Sequence, residues 1–185
     1  MKYFQHEKAI VSPRAQVGEE TRIWAFVNIQ EGAIVGKRCN ICDGCFIEKG
    51  AVIGDEVTVK NGVAVFEGVV LEDNVFCGTG VSFINDRYPR SQPKRIWTLE
   101  KTVVKKGATI GSGSTIMCGV VIGEFAMIGA GSVVLNDVPA HVLVFGNPAE
   151  KKGYTCRCGK KLGVNLCCSC GLRYSEAGQG LRVHE

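Results

Sequence analysis

Between Val11 and Val138 the chain repeats itself every six residues, and that period excludes most folds at once. Val11, Val17, Ile23, Ile29, Val35, Ile41, Ile47, Ile53, Val59, Val65, Leu71, Cys77 and Phe83 are all apolar. The count resumes at Val104 and runs through Ile110, Ile116, Ile122, Ile128 and Val134. Four residues after each comes a small or β-branched partner, from Ala15, Thr21 and Val27 to Ala126, Ser132 and Val138. An amphipathic helix would space apolar residues by three and four. An even period of six suits short β segments joined at corners, with the bulky residue inside and the small one letting the next corner close. Gly18, Gly36, Gly54, Gly111, Gly123 and Gly129 directly follow bulky positions, where a corner is expected to need permissive backbone. Three sixes make a coil of 18 residues, so the nineteen repeats predict about six stacked coils with one continuous core.

The repeat breaks once. Phe83 to Val104 is 21 residues, six plus fifteen, so an insertion leaves the coil at one corner. It begins Asn85-Asp86-Arg87-Tyr88-Pro89-Arg90, and Tyr88, Ile96 and Trp97 are expected to seek burial. Excursions on one face of a solenoid often form the binding face. Stacking by 18 puts Lys49, Glu67, Asn85 and Cys118 in one column at the base of this loop. Such a cluster can position an amine and tune its protonation.

The segments "VSFINDRYPRS", "VVKKGATIGSGSTIMCGVVIGEFAMIGAGSVVLNDVP" and "VFGNPA" carry a more specific signal. From about Ile10 to Ala149 the chain resembles the hexapeptide-repeat acyltransferases, and within them the group that N-acetylates nucleotide-linked 3-amino sugars. Parallel crossovers are right-handed in about 98% of cases. The resemblance, not the period, implies the rarer left-handed parallel β-helix. It also implies acetyl-CoA as acyl donor and a homotrimer with active sites between subunits. Asn85 would hold the acceptor beside the thioester, Asp86 would support it, and Glu67 would orient the amine. Arg87, Tyr88, Arg90 and Lys49 would meet the nucleotide sugar. Gly111, Cys118, Gly129, Ala130, Asn147 and Pro148 would line the CoA channel. The loop looks closer to members acting on dTDP-linked 3-amino-3,6-dideoxyhexoses. The opening "YFQHEKAIV" looks closer to members acting on UDP-linked 3-amino-uronates, although these show Asn-Pro-Arg where this chain has Tyr88-Pro89-Arg90. Both substrates stand, and both feed surface polysaccharide synthesis.

The histidines bear on mechanism. His6, His141 and His184 all lie outside the repeat, so no coil histidine offers a general base. The 3-amino-sugar group resembles this chain in that respect, and the resemblance implies direct attack by an amine bound neutral, with proximity and orientation as the main catalytic terms. The same absence disfavours a β-helix carbonic anhydrase, which needs three histidines on zinc. Sugar O-acetylation, which usually needs a base, and a non-catalytic scaffold are the other readings.

After Ala149 the pattern stops. The expected organisation is therefore a β-helix over residues 1–149, with its loop at 85–103, and a cysteine ribbon over 150–185. Ten cysteines in a chain with no apolar leader point to reduced thiols or metal ligands rather than disulfides. Cys156, Cys158, Cys168 and Cys170 would suit a structural zinc, although Cys167 with Cys170 has the commoner spacing. Cys39, Cys45 and Cys77 fall on inward positions and read as small core residues. A net charge of +4 without a long basic run disfavours nucleic acid. No apolar run is long enough for a span, so membranes are not expected and a cytoplasmic location is.

Overall fold

The computed structural model describes residues 3–92 and 98–184, and these form a parallel β-solenoid followed by a small ribbon. Each six-residue unit gives a two- or three-residue strand and a corner. The strands stack into three faces. The first face begins at Phe4–Gln5 and climbs by parallel pairing to Val142–Phe145. The second runs from Ile10–Val11 to Val133–Val134, and the third from Gln16–Val17 to Val121–Ile122. Register follows the 18-residue period: Ile23 pairs with Ile41, Ile41 with Val59, and Val59 with Cys77. Across the insertion Phe83 still pairs with Ile116.

The bulky positions form the core. Ile23, Ile41, Ile47, Val65, Leu71, Cys77, Ile110, Ile116 and Ile122 have no exposed surface. Fully burying such a side chain contributes roughly 1.5–3 kcal/mol each. The solenoid therefore rests on one ladder of nearly identical contributions. Cys39, Cys45 and Cys77 lie in this ladder. Burial pushes their thiols up, to about 11 for Cys45 and about 12 for Cys77. They are inert core residues, as their register implied.

Two expectations need correction. The solenoid has more than six levels, with eight parallel strands on its first face. Phe4–Gln5 adds a level below Val11, where exposed Gln5 at the open end escapes the demand for an apolar residue. Val142–Phe145 adds one above, with Val144 paired to Ile128 after a coil two residues short of 18. The second correction concerns glycine. The left-handed corner position lies three residues after the bulky one, as at Gly32, Gly44 and Gly50, and also at Glu20, Phe26 and Arg38. The glycines directly after the bulky residue serve close approach instead. A Cβ on Gly111 would sit 2.4 Å from the Ala130 nitrogen of the next coil.

The last first-face strand would leave an open edge, a ready template for aggregation. Glu150–Tyr154 covers it by antiparallel pairing with Val142–Phe145. The ribbon then continues to an antiparallel hairpin, Arg173–Ala177 with Gly180–His184. That hairpin rests on the last coil, where Leu181 donates its N–H to the Ala140 carbonyl at 3.1 Å.

Candidate functional site

The loop leaves the solenoid at the corner between the second and third faces, after Ser82–Phe83, and returns as Thr102–Val104. Thr102 pairs with Val69, which closes the insertion at Lys101. The column read from below therefore rises through Glu31, Lys49 and Glu67 to Asn85. Counted back from the pairing of Val103 with Val121, Cys118 falls level with Glu100 instead. Asn85 and Glu100 are thus the two stems of the loop. The 18-residue count taken backward from Cys118 would have found Glu100; taken forward it finds Asn85 alone.

Glu100 is the anchor. Its carboxylate accepts from Arg87 Nη2 at 2.8 Å and from Arg87 Nε at 3.2 Å. Arg87 Nη2 also donates to the Cys118 carbonyl at 2.6 Å. Arg87, expected to meet substrate, in this chain ties the loop to the coil. Hydrogen bonding to Arg87 holds the Glu100 carboxyl below its usual range, and the pair reinforces itself by raising Arg87. Burial pushes the Cys118 thiol up, helped by the Glu100 charge. Cys118, expected in the CoA channel, is 1% exposed, its Sγ directed at Glu100 and its carbonyl occupied by Arg87.

The other loop residues point outward. Asn85 and Arg90 are exposed and Asp86 is half-buried. The Asp86 side chain accepts the Tyr88 N–H at 3.0 Å, an Asx turn that shapes the loop tip. Tyr88 is 69% exposed, so the burial expected of it is not supplied by the described residues of this chain. Ile96 and Trp97 lie outside the described residues. Arg90 donates to the Pro89 carbonyl.

Below the loop the same corner carries an open groove lined by Arg14, Glu31, Gly32, Lys49, Gly50 and Glu67. Arg14 pairs with Glu31 there. The Glu67 backbone donates to Glu48 Oε2 at 2.8 Å, and the Glu67 side chain lies across Gly50. Lys49 and Glu67 thus line one groove beneath Asn85, as the column implied.

The remaining expected CoA residues stand elsewhere. Gly111, Gly129 and Ala130 sit at the corner between the first and second faces, with Asn147 and Pro148 above them. Ser114 and Ser132 hydroxyls both donate to the Gly129 carbonyl, at 3.0 and 2.6 Å, which stiffens that edge. A single cofactor touching both this edge and the loop corner would have to cross the second face or bridge two chains. The histidines stay away from the loop. His6 follows the first strand, His184 lies in the ribbon, and His141 is buried at the corner between the third and first faces.

The ribbon's cysteines converge near that last corner. The Sγ atoms of Cys156, Cys158, Cys168 and Cys170 all lie within 4.8 Å of one another. Burial opposes ionisation of Cys156. A Cys158 backbone contact, the Tyr174 hydroxyl and the neighbouring thiols outweigh it and lower that thiol to about 6. Cys170 is pushed up to about 12, its backbone contact at Leu172 being outweighed by the neighbouring sulfurs.

Residues 14–49 and 101–136 match the family described as bacterial transferase hexapeptide (six repeats). The chain is 53% identical, over 94% of its own length and 91% of the relative's, to dTDP-3-amino-3,6-dideoxy-alpha-D-galactopyranose 3-N-acetyltransferase of Aneurinibacillus thermoaerophilus. A shorter stretch of 72 residues, 39% of this chain and 22% of the relative, is 38% identical to serine acetyltransferase of Buchnera aphidicola. Among solved structures, the acetyltransferase domain of PglB from Neisseria gonorrhoeae, in complex with acetyl coenzyme A, superposes with a TM-score of 0.52 at 23% identity. That match covers 80% of this chain and 57% of the other, and it speaks to the fold.

Proposed function

The chain belongs to the hexapeptide-repeat acyltransferases, left-handed β-helix enzymes, and to their group of nucleotide-sugar 3-N-acetyltransferases; from that premise we propose that it acetylates the 3-amino group of a dTDP-linked 3-amino-3,6-dideoxyhexose of the galacto series. The observation that carries the choice of sugar is the near full-length identity to an enzyme of that name. The UDP-linked 3-amino-uronate is thereby set aside, in keeping with Tyr88 before Pro89-Arg90 in the loop.

In this reading the amine lies against Asn85 at the mouth of the corner, with the Lys49–Glu67 groove beneath it. Asn85 holds the amine and the thioester carbonyl together. Glu67 accepts from the amine and orients its lone pair. The amine attacks neutral, a C–N bond forms, the C–S bond breaks, and the departing CoA thiolate takes the amine's proton. No coil histidine stands near the loop to serve as base, so proximity supplies most of the acceleration. No step of this reaction calls on the ribbon's thiols.

The proposal includes a homotrimer. The outward side of the third face carries Ile34, Val52, Val70, Val103 and Val121 in a row, an apolar stripe beside the loop corner. Packed on a neighbour, that stripe would bring a second chain to the loop, and the CoA edge of one subunit to the loop of another. Surface polysaccharide precursor synthesis in the cytoplasm is the setting this substrate implies.

The test is a steady-state assay of CoA release with each nucleotide sugar. The dTDP-3-amino-3,6-dideoxygalactose substrate is expected to exceed the UDP-3-amino-uronate by at least about 100-fold in kcat/KM, the scale a site reading polar groups reaches. Preference for the UDP sugar would overturn the assignment. Asn85→Ala is expected to lower kcat by about 100-fold or more while the KM for acetyl-CoA changes little. Full activity in that variant would remove Asn85 from the site.

A further inference from the structure

The tail contains the same turn twice. In Cys156-Arg157-Cys158-Gly159 the Gly159 N–H donates to the Cys156 carbonyl at 2.8 Å, and the Cys156 N–H donates to the Lys160 carbonyl at 2.9 Å. In Cys168-Ser169-Cys170-Gly171 the Gly171 N–H donates to the Cys168 carbonyl at 3.0 Å, and the Cys168 N–H donates to the Leu172 carbonyl at 2.9 Å. Both glycines take the left-handed backbone, at φ 85 and φ 97. Each turn therefore presents its two sulfurs in the same way, and the two turns face each other. Cys156 meets Cys170 at 3.4 Å and Cys158 meets Cys168 at 3.5 Å. Four sulfurs at about 2.3 Å from a tetrahedral zinc stand about 3.8 Å apart. The spread observed, from these contacts out to 4.8 Å, brackets that value without backbone movement.

The surroundings are those of a ligated thiolate rather than a core cysteine. The Tyr174 hydroxyl donates to Cys156 Sγ at 3.1 Å, and itself accepts the Arg157 N–H at 2.9 Å. Such outer contacts orient metal ligands. Cys167 is turned away, its Sγ directed at the Asn165 carbonyl. This resolves the choice between Cys167 and Cys168 that the spacing leaves open. The ribbon's own core is Cys156, Leu162, Tyr174 and Leu181. A unit that small does not hold itself together by burial alone and needs a staple.

We propose that Cys156, Cys158, Cys168 and Cys170 bind one zinc ion, and that the ion fastens the ribbon to the solenoid. The four sulfurs bind as thiolates: four Zn–S bonds form, and each S–H bond still intact breaks with its proton passing to solvent. The fastening runs through Tyr174, which packs edge-on against His141 with ring centroids 4.9 Å apart. His141 in turn stacks on Phe125 of the solenoid at 5.3 Å. The resulting tetrathiolate carries net negative charge, and Arg157, Lys160 and Lys161 surround it in sequence.

The site is tested on the full chain, purified without chelator from zinc-supplemented growth. Elemental analysis is expected to find about one zinc per chain, and titration in denaturant with chelator ten reactive thiols. Cys158→Ser and Cys170→Ser are expected to lose at least nine-tenths of the zinc, and Cys167→Ser to keep it. Stripping zinc should open residues 150–185 to protease and leave the solenoid intact. In case the variants misfold, stripped wild type reloaded with cobalt should show the strong visible bands of a tetrahedral thiolate site. Zinc below a tenth per chain, equal zinc in Cys158→Ser and wild type, iron in its place, or only six reactive thiols would each overturn the proposal. None of these readouts depends on the identity of the sugar substrate.

Discussion

At the scale of single residues, glycine does two different jobs within one repeat. Gly113 takes the left-handed backbone at φ 69, with nothing within 4 Å of its missing Cβ. Gly111, two residues earlier, avoids a 2.4 Å collision with the coil above. The two should therefore respond to different degrees to small side chains. Gly113→Asn is expected to lower stability by about 1 kcal/mol or less, since Asn tolerates that backbone. Gly111→Ala must push two coils apart, and overpacking of this kind costs typically ~1–3 kcal/mol. Chemical denaturation of both variants checks the order; equal losses would count against the distinction. Sequence pattern puts the permissive corner at Gly111, and the folded chain puts it at Gly113. Only the coil-to-coil distance separates them.

At the scale of elements, the Glu100–Arg87 pair clamps the described ends of the loop together. Glu100 and Arg87 are both about one-third exposed, so their pairing is worth far less than a buried ion pair. Its value lies in fixing the loop's exit over its entrance. Glu100→Ala is expected to raise the KM for the nucleotide sugar about ten-fold and to leave the KM for acetyl-CoA nearly unchanged. Steady-state kinetics reads that split directly, and an unaltered sugar KM would show that the loop holds itself. The ribbon is the other element, and His141 is one of its ties to the solenoid. His141 is buried between Phe125 and Tyr174 and donates from Nδ1 to the Thr155 carbonyl at 2.9 Å. Burial holds its pKa below the ordinary value, with Arg157 acting in the same direction and the Thr155 carbonyl and Glu124 opposing. The unfolded chain titrates this ring near about 6.5 and so binds more protons than the folded one just below that pH. Stability then rises with pH in that window. The His141 contribution is complete above about pH 6.5 and is lost as pH falls through the depressed value. The fall in melting temperature from pH 8 to pH 5 should be larger in wild type than in His141→Gln, a comparison that cancels the other acid-labile groups.

At the scale of the whole molecule, the outward row Ile34, Val52, Val70, Val103 and Val121 says most about assembly. A solenoid can bury its inner residues alone, and nothing in the coil requires apolar residues on the outside. Ile34 is exposed and the four valines are half-buried, and an apolar row of this kind on an outer face is what a second chain would cover. Light scattering is expected to give three times the 19.9 kDa chain mass. Val70→Glu with Val103→Glu should yield monomers that have lost acetyl transfer, the outcome that the proposed placement of the site between chains requires. An active monomer would place the whole site within one chain.

The solenoid was legible in the sequence because its cause is local. Six-residue pairing repeats the same choice at every level, so Ile23, Ile41 and Val59 state the register, the core and the coil length without reference to anything distant. The same arithmetic placed Lys49 and Glu67 beneath Asn85. It stumbled where the repetition lapses, at exposed Gln5 and at the shortened coil before Val144. The site's remaining features are long-range and do not repeat. Arg87 reaches Glu100 across an irregular loop, Cys118 is withdrawn from the surface it was expected to line, and the cysteine pairs meet only because the chain folds back between them. A period can predict what every coil shares. Which side chains meet across an insertion, and which four of the tail's five cysteines converge, depends on distances that only the folded chain sets.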